Sequence, residues 1–138
     1  KIDKKFKGLK WITPEYKNDP AKEINMINQV KSHLSNDDRK KMLITNYSFF
    51  SVILNEKIFS PSRWYLFDGT DFPLNDNEYF ADYKKLLIDL IKKNGIKVIY
   101  IIYPVDNSII YNYFNKDCLT EVKISKFLSS YELIENCN

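Results

Sequence analysis

The residues best suited to chemistry in this chain sit in three short polar segments, each closing an apolar run. Asn46 and Tyr47 close the run that starts at Lys41; Asp68, Gly69, Thr70 and Asp71 close the run over 63–67; Asp106 and Asn107 follow the run over 96–103. Asp68 and Asp71, three residues apart, have the carboxylates that serve as acid, base or cation ligand. The same Asp-Gly-Thr-Asp string is also ordinary turn chemistry, in which short polar side chains bond the local backbone. Arg63 is one of two arginines in a chain that otherwise uses lysine. Its planar fork suits a carboxylate or phosphate, and would equally hold a strand in place by pairing with an aspartate. The candidate ligand contacts are therefore Asn46, Tyr47, Arg63, Asp68, Thr70 and Asp71.

Other chemistries lack their residues. The glycines are Gly8, Gly69 and Gly95 only, and no pair has the spacing of a phosphate-cradling loop. The single histidine, His33, falls in an expected helix with no Cys or Asp at ligand spacing, so it reads as a partly exposed helix residue and no metal is expected. Ser48 lacks the glycine-flanked elbow of a nucleophile. No cofactor and no catalytic residue are expected. The net charge is +3, and the basic residues are scattered, with clusters at 4–10 and 39–41 only. Nucleic-acid binders concentrate such charge on one face, so no nucleic-acid partner is expected.

Several elements must position those segments. A chain of 138 residues with 44% hydrophobic and 28% charged residues fits one globular domain. Residues 1–10 read as a basic lead-in, and residues 11–14 as a short extended piece before Pro14. Asp19 and Pro20 are a cap and a first helical position, and Ile24, Ile27, Val30, Lys31 and Leu34 continue with helical spacing over 21–34. A buried strand is expected over 41–46, a short helix within 47–54 and an aromatic strand over 63–67. The clearest helix runs over 76–94, with Tyr79, Phe80, Tyr83, Leu86, Leu87, Leu90 and Ile91 as one apolar stripe and Asn94-Gly95 as its stop. Residues 96–103 are nearly all apolar and β-branched, as in a central parallel strand covered on both faces. A short helix over 107–114, turning Ile109, Ile110 and Tyr113 inward, precedes two terminal strands over 118–124 and 129–135. This alternation predicts an α/β fold: a three-layer αβα sandwich with a mostly parallel, Rossmann-like sheet and an antiparallel C-terminal edge. Ligands of such sheets bind beyond the carboxyl ends of the strands, where the three polar segments would converge.

Cys118 and Cys137 are the only cysteines. If the terminal strands form a hairpin turning near Phe127, the two fall roughly opposite each other. A disulfide there would close a loop of about 20 residues, a stabilisation of about 3 kcal/mol, and would imply an oxidising compartment. Two free buried thiols are the alternative.

Taken together, residues 8–14 (GLKWITP), 41–50 (KMLITNYSFF), 60–68 (SPSRWYLFD), 96–102 (IKVIYII) and the ending from Cys118 through Tyr131-Glu132-Leu133 to Cys137 resemble the C-terminal soluble domain of bacterial polytopic membrane proteins. Those proteins are related to the GT-C, dolichyl-phosphate-mannose-protein mannosyltransferase-like glycosyltransferases. The resemblance spans nearly the whole chain and rests on apolar and aromatic patterns. It implies a piece of a longer chain, consistent with a first residue of Lys1, whose partners are the parent's transmembrane part and a glycan or peptide acceptor. It implies a membrane-attached domain facing the periplasm or exterior, assisting acceptor binding or stability. The catalytic acid of GT-C enzymes lies between early membrane helices, so no catalytic residue carries over. The five lysines within 1–10 point the other way, since basic segments beside a span favour the cytoplasm.

Two rival expectations stand beside this. One is a small α/β hydrolase or sugar-modifying enzyme using Asp68 or Asp71. The other is a protein-interaction module, motivated by ten Tyr and nine Phe.

Overall fold

The computed structural model describes residues 3–8, 13–63, 65 and 72–134. Backbone contacts divide the chain into two units, Lys1–Asp38 with Phe49–Glu56, and Arg39–Ser48 with Lys57–Asn138.

In the first unit, helix α1 (Pro20–Ser35) starts where its cap dictates. The Asp19 carboxylate accepts from Lys22 N at 3.2 Å, and Pro20 takes the first position. Its buried stripe is Glu23, Met26, Ile27, Val30 and Leu34, with Ile24 only half-buried, so the stripe lies slightly off the expected one. A carboxylate is tolerated inside because Thr13 Oγ1 donates to Glu23 Oε1 at 2.9 Å. Helix α2 (Phe50–Leu54) is a single turn that ends at Asn55, left-handed at φ 54°, a conformation asparagine adopts more readily than most residues. Residues 3–6 of the basic lead-in are tied down. Asp3 caps a 3-10 turn at Lys4–Phe6, Lys31 Nζ lies 2.6 Å from its carboxylate, Lys5 Nζ donates to Val52 O at 2.6 Å, and the Phe6 ring meets Phe49 edge-on at 5.6 Å. The Lys31 hydrogen bond, then the Lys5 backbone N–H, hold the Asp3 carboxyl below its ordinary pKa. Of the extended piece expected over 11–14, Trp11 and Ile12 lie outside the described residues, while Thr13 is extended before Pro14.

The second unit is built on a four-stranded sheet of β1 (Lys41–Ile44), β2 (Val98–Ile102), β3 (Leu119–Ser125) and β4 (Leu128–Leu133) in the order β1-β2-β4-β3. The fold is mixed α/β, but the expectation of a mostly parallel, Rossmann-like sheet is corrected. Only β1 and β2 run parallel; β2–β4 and β4–β3 are antiparallel. The reason is local. Lys126 and Phe127 alone join β3 to β4, and so short a turn forces an antiparallel pair. The second strand of that hairpin then docks beside β2, where a further parallel strand would have had to lie. Of the aromatic strand expected over 63–67, Arg63 and Tyr65 are not extended into the sheet, and Trp64, Leu66 and Phe67 lie outside the described residues. The outer edge of β1 instead meets Phe59, in a one-residue parallel bridge with Met42 and a 2.8 Å bond from Leu43 N to Phe59 O.

Helix α3 (Phe80–Asn94) joins the parallel pair and ends at Gly95, left-handed at φ 62°. It begins four residues later than expected, and its stripe is narrower. Leu87 is fully buried, and Phe80, Tyr83, Leu90 and Ile91 pack on the core, whereas Tyr79 and Leu86 are 62% and 52% exposed. Position 86 sits about 80° from the line through 80, 83, 87 and 90, and Tyr79 is the N-cap, just outside the helix. The core joins this helix to Met42, Ile44, Ile99, Ile101 and Tyr131 of the sheet and to Ile110 and Tyr113. The helix expected over 107–114 is a 3-10 turn, Asn107–Asn112, capped by Asp106; Ile110 and Tyr113 are buried as predicted. Among the described residues no helix is long and apolar enough to cross a membrane.

Candidate functional site

Of the expected ligand contacts, Asn46 and Tyr47 are engaged within the protein itself. Asn46 lies just beyond β1, and its Oδ1 accepts from Tyr65 N at 2.8 Å, so this amide ties down the chain at residue 65. Tyr47 N donates to the buried Thr45 Oγ1 at 3.0 Å, and the Tyr47 side chain is 2% exposed, which removes it from any solvent-side contact. Arg63 is exposed. Asp68, Thr70 and Asp71, with Gly69, lie outside the described residues. Tyr65, tied to Asn46 through its backbone, belongs to a group of phenols that bond neighbouring polar atoms. The Tyr65 hydroxyl accepts from Ser62 N at 3.3 Å and lies 3.2 Å from Ser60 Oγ, Ser62 Oγ is 2.7 Å from the Tyr83 hydroxyl, and the Tyr113 hydroxyl donates to Pro73 O. The rings pack on Phe72, with centroids 5.4 Å (Tyr65), 5.4 Å (Tyr83) and 4.5 Å (Tyr113) away. Burial pushes the Tyr65 and Tyr113 phenols above the ordinary tyrosine range. Groups held neutral in this way serve as donors to a fixed framework rather than as bases.

The carboxyl end of β2 opens onto a cleft formed together with the β3–β4 turn. It has a volume of about 200 Å³ and is lined by Tyr103, Asp106, Asn107, Lys123, Lys126 and Ser129 among others. Asp106 Oδ1 accepts from Ser108 N at 2.8 Å, and Asn107 Nδ2 donates to Ser129 Oγ at 2.8 Å. Tyr103 stacks edge-on with Phe127 at 6.1 Å, and Lys126 Nζ sits 4.8 Å over the Phe127 ring. Aromatic faces beside an amide, a hydroxyl, a carboxylate and ammonium groups form the kind of surface that contacts a polyhydroxylated or peptide ligand.

Two features were missed by reasoning from sequence. Glu121 accepts hydrogen bonds from two phenols, Tyr111 at 2.5 Å and Tyr131 at 3.1 Å. Its hydrogen bond to Glu121 raises the Tyr111 pKa, and burial followed by its own hydrogen bond to Glu121 raises that of Tyr131. The second is a cavity of about 400 Å³ alongside α3, with Lys84, Ile88, Ile91 and Lys92 on one wall and Phe114 and Leu133 on the other. Its signal was in the sequence: positions 84, 88, 91 and 92 share one helix face. Among the described residues no group of three or more His, Cys, Asp or Glu is placed to hold a metal ion.

At the open end of the β3–β4 hairpin, Ile134 N donates to Cys118 O at 3.1 Å. Cys118 is 9% exposed, and no cysteine among the described residues is a free thiol. Cys137 lies outside the described residues. No protein-family model, no curated protein and no solved structure matches this chain.

Proposed function

We propose that this chain is an accessory domain, without chemistry of its own, of a membrane-embedded glycosyltransferase-like protein, and that it faces the periplasm or exterior. The sequence resemblance supplies the family. The observation that carries the compartment is the pairing of Cys118 with Ile134 across the hairpin. Cys137 follows Ile134 by three residues, a span of about 10 Å when extended, which is within reach of a Cys118–Cys137 disulfide. Such a bond persists in oxidising compartments.

A non-catalytic role is supported by the use made of the strand-end polar groups. Asn46, Asp106 and Asn107 each bond the protein's own backbone or side chains. Acceptor contact, to a glycan or peptide, falls to the cleft around Tyr103 and Lys126. The transmembrane part of the parent chain is the other partner. A three-layer arrangement belongs to the same reading: every residue of β1 and β2 is buried, the pattern of strands covered on both faces. The interaction-module alternative is weakened by the burial of Tyr16, Tyr47, Phe50, Phe72, Tyr100 and Tyr131.

The test is a thiol count on unreduced, denatured protein recovered from the bacterial periplasm. The expected result is no reactive thiol. Two reactive thiols would remove the compartment argument and with it the exoplasmic placement.

A further inference from the structure

We infer that the outer edge of β3 is a contact surface for a second copy of this chain, the two β3 strands pairing antiparallel about a two-fold axis at Val122. This goes beyond the accessory-domain reading and does not depend on it.

Three observations converge on it. The first is exposure. Among the described residues β3 ends the sheet, and Thr120, Glu121, Val122 and Lys123 are exposed in succession. Side chains alternate between faces along a strand, so both faces of β3 are open around Val122, which is itself 47% exposed.

The second is the direction of the backbone groups. Ile134 N donates to Cys118 O, and the same register continues through Thr120 with Glu132 and Val122 with Ser130. Bonded and non-bonded pairs alternate along an antiparallel ladder. Thr120 and Val122 therefore turn their N–H and C=O toward β4, and Glu121 and Lys123 turn theirs outward. Two copies centred on Val122 set Glu121 of each opposite Lys123 of the other, where each such pair exchanges its backbone hydrogen bonds.

The third is charge. Glu121 and Lys123 lie on the same face of β3, so this alignment sets a carboxylate beside an ammonium group on each side of the axis. Opposite charges directly across two strands stabilise the pair, and like charges destabilise it. An axis at Glu121 would face two carboxylates, and an axis at Lys123 two ammonium groups, which leaves Val122 as the favoured register. The Tyr111 and Tyr131 hydroxyls hold the Glu121 carboxylate in place, and a carboxylate so bonded keeps acceptor sites for an ammonium group. On the other face the axis brings Val122 against its own copy and covers apolar surface. Charged residues on an edge strand ordinarily repel other sheets; the order Glu-Val-Lys instead makes this edge self-complementary, as a two-fold interface requires. The register shift between Lys123 and Ser125 bends the strand beyond these pairs. The shared ladder is therefore short and the association weak, with a dissociation constant on the order of 0.1–1 mM, as for small transient contacts.

The test uses the whole chain. Sedimentation velocity at concentrations up to about 1 mM should show a monomer–dimer equilibrium that added salt weakens. Lys123→Glu sets like charges across the axis, and Val122→Lys sets two ammonium groups on it. Each should weaken dimerisation by about tenfold or more, with folding checked by circular dichroism. The register is read by single cysteines, against the rate of the unaltered chain. Only at the axis do like-numbered residues face each other, with Cα atoms about 4.5 Å apart, within reach of a disulfide. Val122→Cys should therefore give a covalent dimer about tenfold faster than Thr120→Cys. A chain that stays monomeric at about 1 mM, a dimer that either charge variant leaves unchanged, or equal crosslinking at positions 120 and 122 would each overturn the assignment.

Discussion

Asn46 has the type and the position of a ligand residue, and the structure spends it on a neighbouring backbone N–H. Nothing in the sequence separates these uses, because both need a short amide just past a strand end. The distinction follows from the return of residue 65 to that point, which is a tertiary event. Asn46→Ala leaves the partly buried Tyr65 N–H without its acceptor and should lower stability by about 1–2 kcal/mol, measurable by urea denaturation. Asp3 offers a second check. Its lowered pKa means that its contribution is present above the unfolded value and is lost as pH falls through the folded one. An NMR titration should find its midpoint below that of an ordinary aspartate, and Lys31→Ala should raise it. An unchanged midpoint in that variant would show that the Lys31 contact is not formed in solution.

At the scale of elements, what is marked by a local signal was legible. Asp19-Pro20 opens α1, Gly95 closes α3, and the terminal hairpin turns at Lys126-Phe127 close to the expected place. Strand direction was not legible. Apolar residues over 96–103 report burial on both faces, and burial is the same whether the next strand runs parallel or antiparallel. The α3 stripe was drawn too wide because Tyr79 and Leu86 are apolar yet point to solvent; composition alone does not distinguish them from Phe80 and Leu87. Gly95 provides the test at this scale. A Cβ there would come no closer than 4.0 Å to the Lys40 side chain, so crowding is not the obstacle; the left-handed φ is. Gly95→Ala should cost about 1 kcal/mol in thermal or chemical unfolding, and Gly95→Asn should cost less, since asparagine tolerates that conformation.

Across the whole molecule, the abundance of tyrosine has a consequence for pH. Tyr65, Tyr113 and Tyr131 all have phenols raised above their unfolded value by burial. A raised pKa gives stability that is complete below the ordinary tyrosine value of about 10 and is lost as pH rises beyond it. Phenolate absorbance should therefore show one class of tyrosines titrating in the usual range and another ionising only together with the loss of the circular dichroism of the fold. Reversible titration of every phenol with the fold intact would contradict this. The aromatic excess motivates the rival expectation of an interaction module; the structure packs most of the described rings in or against its core.

The position of β4 between β2 and β3 also governs how the protein is made. On the ribosome, Val98–Ile102 emerges with β1 already available on one side, while the strand that covers its other side ends only at Leu133. Until then, five consecutive apolar residues present open backbone donors and acceptors to any neighbouring chain, the condition under which nascent polypeptides associate wrongly. Completion of this sheet is thus an event after translation of its last strand, and shortening the chain ahead of Leu128 should yield insoluble material rather than a smaller folded protein.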